Sequence, residues 1–200
     1  MRMVRHIFLG LLAVLVLCVL ALFTVPQLGI LFLNQIETTQ FNVEGDTLYM
    51  SGEINSKTLN QFETLMDQHP NVTRLVVLDV PGSIDDNSMI QLGYRVRELG
   101  LNTHLDADSQ IYSGGVDLFL AGVQRTMETG AIWGVHSWSD GTNQATDYPR
   151  GAPEHEQNRL YIQRMLGDDA FYWFTIEAAP AEEIHVMSGE EIRRFGLLTD

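Results

Sequence analysis

Residues 72–83 of the 200-residue chain have the sequence VTRLVVLDVPGS, which carries the clearest information about the fold. Its centre, residues 75–78, is an uninterrupted apolar run, which is typical of a strand buried on both faces of a parallel sheet. Pro81 and Gly82 follow at the carboxyl end of that strand, where open α/β sheets bind their ligands. The stretch therefore predicts an α/β domain with a site beside Gly82.

The segments around this strand alternate between strand-like and helix-like patterns. Upstream, the pattern predicts a strand over residues 47–54 and a helix over residues 55–69, which Pro70 ends. Downstream, apolar residues at helical spacing predict a helix over residues 85–99. Three short strands are predicted further on, over residues 101–105, 125–128 and 131–135. A helix that begins at Ser113 lies between the first and the second of them. This βαβαβ order predicts a right-handed, mostly parallel sheet covered by helices.

The C-terminal third is predicted to be mainly helical. A polar loop over residues 140–153 leads into a long helix over residues 154–178. Ser188 and Glu191 have the spacing of a capping box and predict the start of a last helix.

The N-terminal 33 residues have the pattern of a membrane segment. Residues 7–23 carry no charged or strongly polar side chain, a length that suits a transmembrane helix. Arg2 and Arg5 precede it and the next basic residue is Lys57, which predicts a cytoplasmic N-terminus and an exported, periplasmic remainder. A cleaved signal peptide is the alternative. We divide the chain into a signal anchor (1–33), a polar linker (34–45) and one domain (46–200).

Composition excludes several classes of function. The chain has 26 acidic and 12 basic residues and a formal net charge of -14, which disfavours binding to nucleic acid. Its single cysteine, Cys18, lies in the apolar N-terminal segment, so neither an intrachain disulfide nor a cysteine metal site is expected. We predict no metal and no cofactor.

Two glycine turns bear the hallmarks of an oxyanion-binding site. Ser113 stands where a loop enters a helix, at the positive end of the helix dipole, and Gly114 and Gly115 allow a substrate to approach the backbone. The amide of Gly114 would point to where an oxyanion forms, and Gly82 can present a second amide. Taken alone, Ser113 is better explained as a helix cap, and only its combination with Gly82 favours a functional role.

His136 is the candidate base. It ends the predicted strand over residues 131–135, so it lies at a strand terminus, as Gly82 does. An imidazole there could remove the proton of the Ser113 hydroxyl and return it to a leaving group. His155 and His185 lie in helix or loop contexts that favour solvated or capping roles.

Short motifs in a fixed order extend this pattern over the domain: GEI (52–54), VPGS (80–83), SGG (113–115), LFLAG (118–122), QATD (144–147), MSGEE (187–191) and FGL (195–197). From about residue 48 to residue 198 the chain resembles the proteolytic subunit of Clp protease and, more broadly, the ClpP/crotonase superfamily. The resemblance implies repeated ββα units, a Ser113 nucleophile, a His136 base, an oxyanion hole from Gly82 and Gly114, a peptide or protein substrate, and a homo-oligomer.

The chain departs from that family at the third catalytic residue. The stretch in which the family carries its catalytic aspartate is here residues 180–186, PAEEIHV, which contains no aspartate. Three alternatives are open: Glu182 or Glu183 orients His136, the enzyme uses a Ser-His dyad, or activity is lost. Without an orienting carboxylate a triad loses about 10⁴ in rate.

The leading hypothesis is therefore a membrane-anchored, extracytoplasmic serine hydrolase, a peptidase. The alternative is a catalytically inactive ClpP-like protein that binds peptides or assembles with partners. Acyl-CoA chemistry of the crotonase kind fits an acidic, exported domain less well, because its ligand is rich in phosphate. A Ser-Lys enzyme is disfavoured, because the only lysine, Lys57, precedes Ser113.

Overall fold

The computed structural model describes residues 36–199, with the isolated Leu12 and Gly29. The strands in this part are β1 (Thr39–Glu44), β2 (Thr47–Gly52), β3 (Arg74–Val77), β4 (Asp79–Val80), β5 (Asn102–Leu105), β6 (Gln110–Tyr112), β7 (Arg125–Met127), β8 (Ile132–Val135) and β9 (His185–Val186). The α-helices are α1 (Thr58–Gln68), α2 (Asp86–Glu98), α3 (Gly114–Leu120), α4 (Glu156–Leu166), α5 (Ala170–Ala178) and α6 (Gly189–Arg194), and two 3-10 helices span Ala145–Asp147 and Pro153–His155.

The strands form two sheets rather than the single predicted one. The first has the order β1-β2-β3-β5-β7 and the second the order β4-β6-β8-β9. All neighbouring strands are parallel except β1 with β2 and β8 with β9. Each repeat places one strand in the first sheet, the next in the second sheet, and then a helix, as in β3-β4-α2 and β5-β6-α3. The predicted mixed α/β fold with mostly parallel strands and repeated ββα units is confirmed.

Residues 75–77 of the apolar run are buried as predicted. In β3, Leu75, Val76 and Val77 are almost completely shielded from solvent, with β2 on one side and β5 on the other. A strand in the middle of a parallel sheet is covered on both faces, which explains the uninterrupted apolar run.

Two elements differ from the sequence predictions. Residues 39–44 of the predicted linker form β1, which pairs with β2 through a tight turn at Gly45, where φ is +64°. Its polar composition suits an antiparallel edge strand with an exposed face. The long predicted helix is two helices, because Gly167 adopts a left-handed conformation (φ +97°) and ends α4.

Two arginines hold the C-terminal end of α3. Arg97 of α2 donates from Nε to the carbonyl oxygen of Ala121 at 2.7 Å and from a terminal nitrogen to that of Leu120 at 2.9 Å. Arg125, which is buried, donates to the carbonyl oxygen of Gly122 at 3.2 Å and to that of Leu197 at 2.7 Å. Because the last carbonyls of a helix lack internal partners, these bonds fix the helix that follows Ser113.

The predicted signal anchor, residues 1–33 with Cys18, lies outside the described residues apart from Leu12 and Gly29. Within the described part of the chain, no helix combines the length and apolar character needed to cross a bilayer. The division of the chain into anchor, linker and domain stays a prediction.

Candidate active site

Ser113 adopts a strained backbone conformation at the junction of β6 and α3. Its φ of 49° and ψ of -123° make it the one non-glycine residue with a positive φ in the described part of the chain. Its amide donates to the carbonyl of Gly134 at 2.9 Å, and its own carbonyl accepts from Val116 at 2.9 Å. Such strain persists only where neighbouring structure enforces it, and it is concentrated at active sites. A sharp strand-to-helix turn of this kind also projects a nucleophilic serine in α/β hydrolases.

Gly82 lies directly against Ser113. A Cβ built on Gly82 would stand 3.3 Å from the Ser113 Cβ and 3.8 Å from its Oγ, and the Gly82 φ of +141° also disfavours a side chain. The Gly82 carbonyl accepts a hydrogen bond from the amide of Ile54 at 2.9 Å, which anchors the turn to the segment that follows β2. The two predicted turns therefore meet, with Gly114 as the first residue of α3.

Ser113 and His136 line the same cavity, which encloses about 50 Å³. The cavity wall is formed by Asp86, Ser113, Gly114, Asp117, Val135, His136, Trp138, Asn158, Ile162, Tyr172, Thr175 and Ile176. Within the described residues no hydrogen bond joins Ser113 to His136, and the His136 Nδ1 is buried without a hydrogen-bond partner. The fold therefore places the predicted nucleophile and base at the same cavity. Within the described residues, it leaves Nδ1 of the base without a hydrogen-bond partner.

Within the described residues, neither predicted acid forms a hydrogen bond with His136. The stretch that contains them runs beside the strand that precedes His136, because β9 pairs with β8 and His185 stands opposite Val135. Glu182 and Glu183 themselves are exposed, in a turn that the amide of Glu183 closes on the carbonyl of Pro180 at 3.1 Å. Neither of them lines the cavity.

Asp117 is a site residue that the sequence analysis missed. It lies one helical turn after Ser113 and lines the cavity. Burial, together with the nearby charge of Asp86, raises the pKa of Asp117 to about 7. The available signal was the single charged residue in the otherwise apolar helix α3. A carboxyl group with such a pKa in a cleft is typical of functional sites.

An aromatic cluster supports the far wall of the cavity. The Tyr172 hydroxyl accepts a hydrogen bond from Trp138 Nε1 at 3.0 Å and lies 2.6 Å from His155 Nδ1. Burial raises the pKa of Tyr172 to about 12, so it remains a neutral phenol. His155, which the sequence suggested was solvated or capping, is 1% exposed and holds this hydroxyl in place. His185 lies outside the cavity and pairs with Glu191 at 3.0 Å.

No protein-family model and no curated protein matches this sequence. Solved structures do match its three-dimensional arrangement. Membrane-bound stomatin-specific protease, in complex with a substrate peptide, superposes with a TM-score of 0.51 at 18% identity over 75% of this chain and 71% of that chain. Enoyl-CoA hydratase from Thermoplasma volcanium gives a TM-score of 0.52 at 12% identity over 82% of this chain and 71% of that chain. The chain has the ClpP/crotonase fold.

The ClpP/crotonase fold serves more than one chemistry. Enoyl-CoA hydratase from Bacillus anthracis also matches, with a TM-score of 0.50 at 13% identity over 81% of this chain and 69% of that chain. At identities this low only the fold is shared, so the fold does not distinguish a protease from a hydratase. The choice rests on the side chains around the cavity.

Proposed function

We propose that the chain is a serine hydrolase in which Ser113 is the nucleophile and His136 the general base. The observation that carries the proposal is the strained backbone of Ser113 at the edge of a cavity that His136 also lines. A structural serine cap does not need a positive φ, whereas a nucleophile presented on a sharp turn does.

The reaction follows from the positions of these groups. His136 removes the proton from the Ser113 Oγ as that oxygen attacks a substrate carbonyl, and a tetrahedral oxyanion forms. The amides of Gly82 and Gly114 stabilise this oxyanion, and His136 then donates its proton to the leaving group as the acyl–serine ester forms. A water molecule, deprotonated by His136, releases the acid and restores the Ser113 hydroxyl. Catalytic hydrogen bonds are often long in enzymes without bound substrate. The lack of a Ser113–His136 hydrogen bond in this structure is therefore compatible with the mechanism.

We propose peptides or proteins as the substrates. Among the matched structures, the stomatin-specific protease was solved with a substrate peptide, and this supports the same class here. The membrane anchor within residues 1–33, the periplasmic location and the homo-oligomer belong to the same proposal and rest on the sequence. The unpartnered Nδ1 of His136 supports a Ser-His dyad rather than a triad with Glu182 or Glu183.

One observation favours the alternative function. A base whose second nitrogen has no carboxylate is expected to be a weak one, so the cavity could serve an inactive ClpP-like protein that binds peptides or assembles with partners. Acyl-CoA chemistry has less support, because the formal net charge of -14 repels a phosphate-rich ligand.

A fluorophosphonate probe separates these functions, because it reacts covalently with activated serines. We expect the full chain to be labelled and Ser113→Ala to lose the label. Ser139→Ala, which removes an exposed hydroxyl from the loop after His136, should be labelled like the parent chain. If the parent chain is not labelled under conditions that fully label a known serine peptidase, the hydrolase proposal is wrong and the peptide-binding alternative takes its place.

A further inference from the structure

The cavity beside Ser113 combines apolar walls with acidic groups. Ile162 and Ile176 supply aliphatic surface, and Asp86 and Asp117 supply two carboxyl groups. Its volume of about 50 Å³ holds roughly four water molecules. A flexible side chain of four or five heavy atoms would replace that water. The shape and lining therefore suit a side chain with an apolar stem and a polar end.

Asp117 lacks a partner of its own. Within the described residues, its carboxylate takes part in no hydrogen bond and no ion pair, although its backbone carbonyl accepts from the Tyr161 hydroxyl at 2.8 Å. Asp86 is more exposed, and its oxygens accept from the Ser83 hydroxyl at 2.8 Å and from Asn158 at 3.5 Å. A partly buried carboxyl group without a donor is costly to ionise. A cation that enters the cavity would supply the missing partner.

The protein's own arginines do not fill this role. Neither lysine nor arginine is among the cavity-lining residues of the described chain, where the only basic side chain is His136. Arg97 is engaged with backbone carbonyls, and Arg159 pairs with Asp169 at 3.0 Å. A compensating cation would therefore come from a ligand.

We propose that this cavity binds the side chain of lysine when lysine is the substrate residue whose carbonyl Ser113 attacks. This inference rests on the proposed serine hydrolase and names its substrate class. The aliphatic stem packs against Ile162 and Ile176, and the cationic head reaches Asp117. Asp86, at the more exposed part of the wall, attracts the cation on entry. The formal net charge of -14 also draws cationic peptides toward the molecule.

Paired active-site probes test the preference. A lysine phosphonate diphenyl ester and its norleucine counterpart have side chains of similar length, and only one is charged. Each phosphonylates Ser113 by forming an Oγ–P bond and breaking a P–O bond, so that phenoxide leaves and takes the proton from His136. For the parent chain we expect lysine to react about tenfold to a hundredfold faster than norleucine, the factor that a charged hydrogen bond contributes.

Two variants locate the origin of the preference. Asp117→Asn should bring the ratio of the lysine rate to the norleucine rate close to one. Asp108→Asn removes the same charge from an exposed turn outside the cavity and should keep the parent ratio. A parent chain that reacts with norleucine as fast as with lysine overturns the basic-residue preference and leaves the serine hydrolase intact.

A binding measurement decides the inference even if Ser113 proves unreactive. Butylammonium, which is the lysine side chain without its backbone, should raise the thermal midpoint of the parent chain more than butanol does at equal concentration and ionic strength. In Asp117→Asn this difference should disappear. If butylammonium stabilises neither protein, or stabilises both equally, the cation site at Asp117 is wrong, whatever the outcome of fluorophosphonate labelling.

Discussion

The two ends of helix α3 have opposite characters. At its N-terminal end, Ser113 has a positive φ and the Asp117 carboxylate has no partner within the described residues. At its C-terminal end, the carbonyls of residues 120–122 receive hydrogen bonds from Arg97 and Arg125. Strained or unsatisfied groups cost free energy and persist only where the surrounding structure determines them. One seven-residue helix thus separates the end that carries the proposed nucleophile from the end that the arginines hold in place.

This comparison implies that substitutions near the N-terminal end should act mainly on reactivity, whereas those at the C-terminal end should act mainly on stability. The N-terminal end is expected to gain stability when the strain at Ser113 or the charge of Asp117 is removed, because active sites are rarely optimised for stability. The C-terminal end is expected to lose stability when a donor is removed. The two ends can therefore be distinguished by the sign of the change in the free energy of unfolding.

The largest effect is expected at the base. His136→Ala should lower the rate constant for fluorophosphonate labelling by about 10⁴-fold or more, because an isolated serine hydroxyl is a weak nucleophile. The fold should persist, since His136 is only partly buried and its Nδ1 makes no hydrogen bond. Labelling rates and circular dichroism of both proteins check this. A variant that labels at the parent rate would remove His136 from the mechanism.

Substitution of Glu182 or Glu183 should affect the labelling rate far less than substitution of His136. Glu182→Gln and Glu183→Gln should each change the labelling rate by less than about threefold, whereas loss of an orienting carboxylate costs about 10⁴. The reason is their exposure and their absence from the cavity wall. A loss of several powers of ten in either variant would identify a triad acid and contradict the dyad.

The next effect is expected at the C-terminal end of α3. Arg97→Met should lower the free energy of unfolding by about 2–4 kcal/mol, because it leaves several backbone carbonyls without a donor. Arg95→Met on the same helix is the control, since Arg95 makes only ion pairs at 3.7 Å with Glu63 and Glu98. Its effect should stay within about 0.5 kcal/mol. Urea unfolding measures both, and equal losses would show that the carbonyl contacts contribute nothing.

Asp117 gives a pH-dependent effect of opposite sign. The pKa of Asp117 is about 7 in the folded chain, from an ordinary value of 3.8, so the fold favours the protonated form. Its contribution to stability is full below the ordinary value and is lost as the pH rises through 7. Asp117→Asn should therefore match the parent chain near pH 4 and exceed its free energy of unfolding at pH 8, by at most about 4 kcal/mol. Urea unfolding of both proteins from pH 4 to pH 8 measures the difference in free energy of unfolding. The titration of all other groups contributes equally to both proteins and cancels in that difference.

Much of the fold could be predicted from local patterns. The apolar run at residues 75–78 and the helical spacing over residues 85–99 predicted β3 and α2, observed as Arg74–Val77 and Asp86–Glu98. The strands β6 and β9 were not predicted, because three and two residues are too short to show a period. The break at Gly167 was missed although Gly167 is a typical helix-ending residue and Asp168 and Asp169 are typical helix-start residues; the left-handed Gly167 ends α4.

The site was only partly predictable. Strand order alone places Ser113 and His136 at one cavity, and the glycine pattern identifies the turn beside Ser113. Asp117 was missed because one acidic residue in a helix usually faces solvent, and its character depends on what covers it in three dimensions. The contact of Tyr172 with His155 depends on how the loop after His136 folds, which no local pattern specifies.

The smallest expected effect tests the strain at Ser113 itself. Ser113→Gly should be more stable than Ser113→Ala by about 0.5–2 kcal/mol, because glycine removes strain of about 1–3 kcal/mol and costs about 0.5–1 kcal/mol in the unfolded chain. Both variants lack the hydroxyl, so only the Cβ at a φ of 49° differs between them. The same pair at Ser139, whose φ is not positive, should show the reverse order. Urea unfolding of the four variants measures these differences, and the same order at both positions would mean that the N-terminal end of α3 stores no strain.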